Sequence, residues 1–92
     1  MAERQKTFYG VISFLPLRLL MKKKNLKQQY LIDNGLHRAT CYKLKRNENV
    51  NCEVIAHLCN LLKCQPKDIL QYYETREQAE QAEQKALENN LI

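Results

Sequence analysis

Gly35 is the position that most constrains this chain. It is one of only two glycines in 92 residues. It separates two short stretches, Leu26–Asn34 and Leu36–Lys45, that each suit a short helix. A sharp turn between such helices often needs a residue that tolerates positive φ, and glycine does so without steric cost. The pattern predicts helix 2 over Lys27–Asn34, with Tyr30, Leu31 and Asn34 toward the core, and helix 3 over Arg38–Lys45. Leu36, Cys41 and Leu44 then point inward, and Arg38, Ala39, Tyr42, Lys43 and Lys45 are left outside. An exposed helix carrying arginine and lysine beside a threonine suits a DNA major groove, where cationic side chains meet phosphate oxygens and guanine edges.

A chain of this length makes one small domain with one modest core. There is no tryptophan, and having only two glycines and two prolines favours helix over sheet. No apolar run approaches the roughly 20 residues that span a bilayer, so no membrane partner is expected. The start, Met1-Ala2-Glu3-Arg4-Gln5-Lys6, is polar and carries an acid, unlike a secretory signal. The expected location is the cytoplasm. The net charge of +5 is uneven. Residues 74–92 set five glutamates against Arg76 and Lys85, a net of −3, which leaves +8 on residues 1–73. A basic body with an acidic tail fits a polyanionic partner and a separately solvated helix.

Cys41, Cys52, Cys59 and Cys64 contain no C-x-x-C pair. Cys41, Cys52 and Cys59 fall where small apolar side chains would serve, so they are expected to be reduced and packed rather than metal-bound. There is no glycine-rich phosphate loop, no helical His-x-x-x-His pair and no set of paired carboxylates in an apolar setting. No catalytic residue, metal ligand or cofactor is expected, and the chain does not read as an enzyme.

Along the chain, residues 1–14 form an N-terminal arm whose Thr7–Phe14 segment suits a short strand, with no convincing partner strand elsewhere. Such a strand would pair across a dimer or pack as an extended segment. Helix 1 is predicted over Pro16–Lys24, with Leu15, Leu19, Leu20 and Met21 inward and Arg18, Lys22, Lys23 and Lys24 facing water. Asn51 is placed to cap helix 4, Cys52–Leu62, whose Ile55, Leu58 and Leu62 repeat at helical spacing. Pro66 is expected to open helix 5, Pro66–Tyr73, burying Ile69 and Leu70. His57 falls on the polar face of helix 4 as a surface residue. Residues 74–92 read as an acidic helical tail with a narrow stripe of Ala79, Ala82 and Ala86, either solvated or edge-packed or paired with its copy.

Three blocks now carry a resemblance: Leu36–Lys45 after Gly35, then Asn47-Glu48-Asn49-Val50, then Ile55–Leu70. From Leu15 to Tyr73 the chain resembles the Cro/C1-type (Xre-like) helix-turn-helix regulators. The resemblance implies an all-α, five-helix, lambda-repressor-like DNA-binding domain over 15–73, between the N-terminal segment and the C-terminal helical extension. It implies helix 3 as the reading head, with Arg38, Ala39 and Lys43 at the base-contact positions. Arg38 would donate to a guanine edge, Ala39 would touch a thymine methyl, and Lys43 would reach guanine or phosphate. Lys27, Gln28, His37 and Thr40 stand where family members meet phosphate. Lys45 and Arg46 flank the groove, and Tyr42 is placed beside the backbone or against a base or sugar.

The chain departs from the family pattern at Tyr30 and Leu31 in mid-helix 2, at His37 in place of the usual serine or threonine cap, and at Tyr42. The function expected is a sequence-specific transcriptional regulator, a repressor acting as a homodimer on double-stranded DNA with a two-fold operator. The rival is a protein-interaction module, inhibitor or antitoxin-like, that keeps this scaffold and engages a protein through the tail or the N-terminal segment.

Overall fold

The computed structural model describes residues 10–90. The first nine residues of the expected N-terminal arm, and with them the start of the expected Thr7–Phe14 strand, lie outside them. The described order is β1 (Val11–Ser13), α1 (Leu15–Lys23), α2 (Gln28–Asp33), α3 (Arg38–Lys45), α4 (Cys52–Leu62), a 3-10 turn (Pro66–Asp68), β2 (Gln71–Tyr73) and α5 (Arg76–Glu88). Among the described residues the fold is all-α, with five helices and one small sheet.

Two differences from the sequence reading stand out. The stretch Pro66–Tyr73 is not a helix. Pro66 opens only a single 3-10 turn, closed by a bond from the Gln65 amide to Asp68 Oδ2 at 3.0 Å. The chain then extends into β2, which supplies the partner strand that the sequence did not reveal. β1 and β2 run antiparallel, with Val11 opposite Tyr73, Ile12 opposite Tyr72 and Ser13 opposite Gln71. Successive residues of a strand face opposite sides, so Ser13 is buried while Ile12 and Tyr72 form an exposed cross-strand pair. Gly10 makes this possible: its φ is +94°, and a Cβ there would stand 2.7 Å from Tyr72 Cε1.

The start of α1 is satisfied by neighbours rather than by its own capping side chain, because Phe14 at that position has none to offer. The Leu15 amide donates to Ser13 Oγ at 3.1 Å, and the Phe14 amide donates to Asn47 Oδ1 at 2.7 Å. Pro16 in the first turn needs no acceptor. The buried stripe of α1 is Leu15, Leu17 and Met21, with Leu19 and Leu20 only half-buried. The stripe is therefore rotated from the expected one, and this rotation turns Arg18 away from open solvent. Asn51 does cap α4, accepting from the Val54 amide at 3.1 Å. Lys63, at φ 55°, ends that helix in the left-handed region.

Leu17, Leu58 and Ile69 are the most deeply buried apolar side chains. They share one cluster with Phe14, Met21 and residues of α2, α3 and α4. The acidic tail is edge-packed rather than free. Thr75 caps α5 by accepting from the Gln78 amide at 3.1 Å. Ala79 and Ala86 are buried, Ala82 is half-buried and Leu87 is exposed. Small side chains on that face let α5 lie close against β1 and β2.

Leu58→Ala should destabilise the domain by about 3 kcal/mol, the usual cost of emptying a fully buried leucine site. A urea melt should show a lower midpoint with an unchanged slope.

Candidate nucleic-acid interface

α2 and α3 are too short to persist alone, and the turn between them is held at several points. The Leu36 amide donates to Leu31 O at 3.1 Å, and Asn34 Nδ2 donates to Tyr30 O at 2.7 Å. Gly35 takes φ +109°. His57 from α4 lies beside the glycine and donates from Nε2 to Asn34 O at 2.7 Å. A carbonyl only accepts, so the ring carries its proton on Nε2 in this arrangement. His57 is thus half-buried and fixes the turn. Its spacing on the polar side of α4 gave no sign of this, because the partner is a backbone atom 23 residues away.

α3 divides as expected. Cys41 and Leu44 are buried, as is Leu36 just before the helix. Arg38, Ala39, Tyr42, Lys43 and Lys45 are exposed. Arg38, Lys43 and Lys45 pair with no acid among the described residues. Arg46 lies 6.0 Å from the Tyr42 ring centroid and at a long 3.9 Å from Glu48, both exposed, so its charge stays available.

The remaining expected contacts fall in two places. Lys27 and Gln28 begin α2 and border a groove of about 430 Å³ between α1, α2 and α3. Arg18, Lys22 and Lys45 also line this groove, Met21 and Leu31 form part of its floor, and among the described residues no carboxylate lines it. Lys22, expected from the sequence only to face water, thus joins the cationic side. His37 and Thr40 border a separate hollow toward α4, where Glu53 and His57 also stand. Neither lines the groove that Lys27 borders, and Glu53 brings an acid to their hollow.

The cysteines are free thiols. Burial pushes the Cys41 thiol up from its ordinary value, with nearby Arg38 opposing the shift. Burial also raises Cys64, assisted by Cys59 and Asp68 and opposed by Lys24. Cys52 stands exposed at the first position of α4, where no core reaches it, so it is not the packed side chain expected from the sequence. Among the described residues no group of three or more His, Cys, Asp or Glu side chains is placed to hold a metal ion.

Residues 16–75 match the family model of the Cro/C1-type HTH DNA-binding domain. The chain belongs to the Cro/C1-type helix-turn-helix family. The match runs from α1 through β2 and stops where α5 begins. Among solved structures, that of the transcriptional regulator VanUg is similar, with a TM-score of 0.69 and 28% sequence identity over 73% of this chain and 91% of that one. No curated protein matches this sequence. Among the described residues, no helix of this Cro/C1-type chain is long and apolar enough to cross a membrane.

Gly35→Ala should cost about 1–2 kcal/mol, read as a lower melting temperature. The loss comes from the positive φ rather than from crowding, since the new Cβ would meet His57 Nε2 at 3.4 Å. Thiol labelling of the folded protein from neutral to alkaline pH should modify Cys52 first and Cys41 last. Denaturant should abolish that order. The raised Cys41 pKa also means that the folded state keeps a proton the unfolded chain gives up, so this group's contribution to stability falls as pH rises above the ordinary thiol value.

Proposed function

We propose that this protein is a sequence-specific DNA-binding transcriptional regulator of the cytoplasm, acting as a dimeric repressor on a two-fold operator. The observation that carries the reading is the outward face of α3. It presents Arg38, Ala39 and Lys43 to solvent, with Arg38 and Lys43 free of acidic partners among the described residues, on a scaffold of the Cro/C1-type family. That the similar VanUg structure is titled a transcriptional regulator adds support.

In this reading Arg38 donates two bonds to a guanine edge, Ala39 meets a thymine methyl, and Lys43 reads a neighbouring base or its phosphate. Lys27, Gln28, His37, Thr40, Tyr42, Lys45 and Arg46 meet the backbone, and Lys22 joins them from the shared groove. Backbone contacts hold register and release counterions but carry no sequence information. One eight-residue reading helix covers few base pairs. A dimer doubles the site and the specificity, with half-sites about one helical turn apart. Occupying a promoter then excludes polymerase.

Enrichment of random duplexes on the purified protein should return one palindromic consensus. Arg38→Ala should flatten base preference at one position of each half-site, a loss of about 1–3 kcal/mol of discrimination. Lys45→Ala should weaken all sequences alike and lower the slope of log affinity against log salt by about one. A flat enrichment together with salt-insensitive binding would overturn the reading in favour of a protein-interaction module.

A further inference from the structure

α5 lies beyond the matched residues 16–75, yet it reaches the end of the reading helix. The link runs through one carboxylate oxygen. Glu83 Oε2 accepts from Arg18 Nη2 at 2.7 Å and from Asn47 Nδ2 at 2.7 Å. Arg18 in turn donates from Nη1 to Lys45 O at 2.5 Å and approaches Leu44 O at 3.5 Å. These are among the last carbonyls of α3, which side chains or the following turn must satisfy; Leu44 O also accepts from the Asn47 amide at 3.4 Å. A guanidinium there also opposes the negative end of the helix dipole. Asn47 sits two residues past α3 at φ 60° and accepts from the Phe14 amide at 2.7 Å. The exit of α3, the start of α1 and the middle of α5 therefore meet at one oxygen.

We propose that Glu83, acting through Arg18 and Asn47, is a positioning residue for DNA reading, and that α5 works as a clamp on the C-terminal end of α3. The inference rests on the function proposed above for α3. Arg18 is a poor candidate for a free surface cation: its side chain is only 20% exposed, and its Nε is buried with no hydrogen-bond partner. Its charge is held in place by Glu83, and breaking a largely buried pair by removing one partner leaves the other uncompensated. Lys43, Lys45 and Arg46 sit on the segment that Arg18 and Asn47 tie down. The orientation of these side chains toward a duplex depends on that tie.

The sign of the effect separates this proposal from simple electrostatics. Removing an acid from a DNA-binding protein lowers repulsion and strengthens binding to any duplex. The clamp requires the opposite at the specific site. Full-length Glu83→Ala should bind the enriched consensus about tenfold more weakly, the equivalent of roughly one charge-assisted hydrogen bond. Its binding to random-sequence duplex should stay equal or tighten. Glu83→Gln keeps an oxygen that accepts from both partners and should restore most of the specific affinity.

The same clamp is read without DNA by amide hydrogen exchange. The Arg46 and Glu48 amides bond back to Tyr42 O and Lys43 O. Glu83→Ala should speed their exchange several-fold while leaving the α4 amides unchanged. Circular dichroism at the assay temperature identifies a variant that unfolds, and Glu83→Gln and Arg18→Lys then carry the comparison. Tighter specific binding by Glu83→Ala, or unchanged exchange at Arg46 and Glu48, would overturn the clamp. A wild-type protein that enriches no duplex would sink the proposed function instead, and the exchange result would then judge the clamp by itself.

Discussion

Helix α3 exists because its inner face is buried. Eight residues, about two turns, do not hold a helix in water, so α3 depends on Leu36, Cys41 and Leu44 joining the cluster that Leu17, Leu58 and Ile69 complete. The outward side chains gain their fixed direction from that burial. A rigid cationic face costs less entropy to dock than a mobile one. Thus the apolar half of the helix sets how well the polar half can recognise anything. The turn obeys the same logic. Gly35 supplies a backbone angle, and His57 from the most apolar helix pins the adjoining carbonyl.

Most of this core was legible in the sequence. α3 and α4 fall on the residues expected, Asn51 caps α4, and Gly35 is the hinge. Periodicity and capping chemistry are local, and local rules suffice where the apolar spacing is clear. The misreadings share a different cause. β2 is three residues long, Gln71-Tyr72-Tyr73, and too short to display an alternation. It becomes a strand because β1 lies beside it. Arg18 precedes a lysine run and reads as a solvent residue with it, but the partner that draws it inward is 65 residues away. Asn47 looked like a loop residue, and it is one. Its role comes from a side chain that bridges α1 and α5.

The candidate site follows the same division. The exposure of Arg38, Ala39, Tyr42, Lys43 and Lys45 could be read from their spacing along α3. The grouping of Lys22 with Lys27 and Lys45 around one groove could not, because three separate helices build it. Nor did the sequence show that His37 and Thr40 lie toward α4, beside Glu53. The acidic tail looked separable on composition alone. Its alanines settle it against the sheet, and one of its glutamates faces inward while the others remain in water.

The pairing of Val11 with Tyr73 has a kinetic side. The two strands are separated by roughly sixty residues, and closing so long a segment carries an entropic toll before any ladder bond repays it. Of the helices between them, α2 and α3 are near neighbours and are expected to pair early, whereas α1 waits for the distant 3-10 turn. The sheet, and α5 resting on it, are then expected to form late. During synthesis the four central helices would gather while β2 is still emerging, and the bundle would be completed only as the final helix arrives.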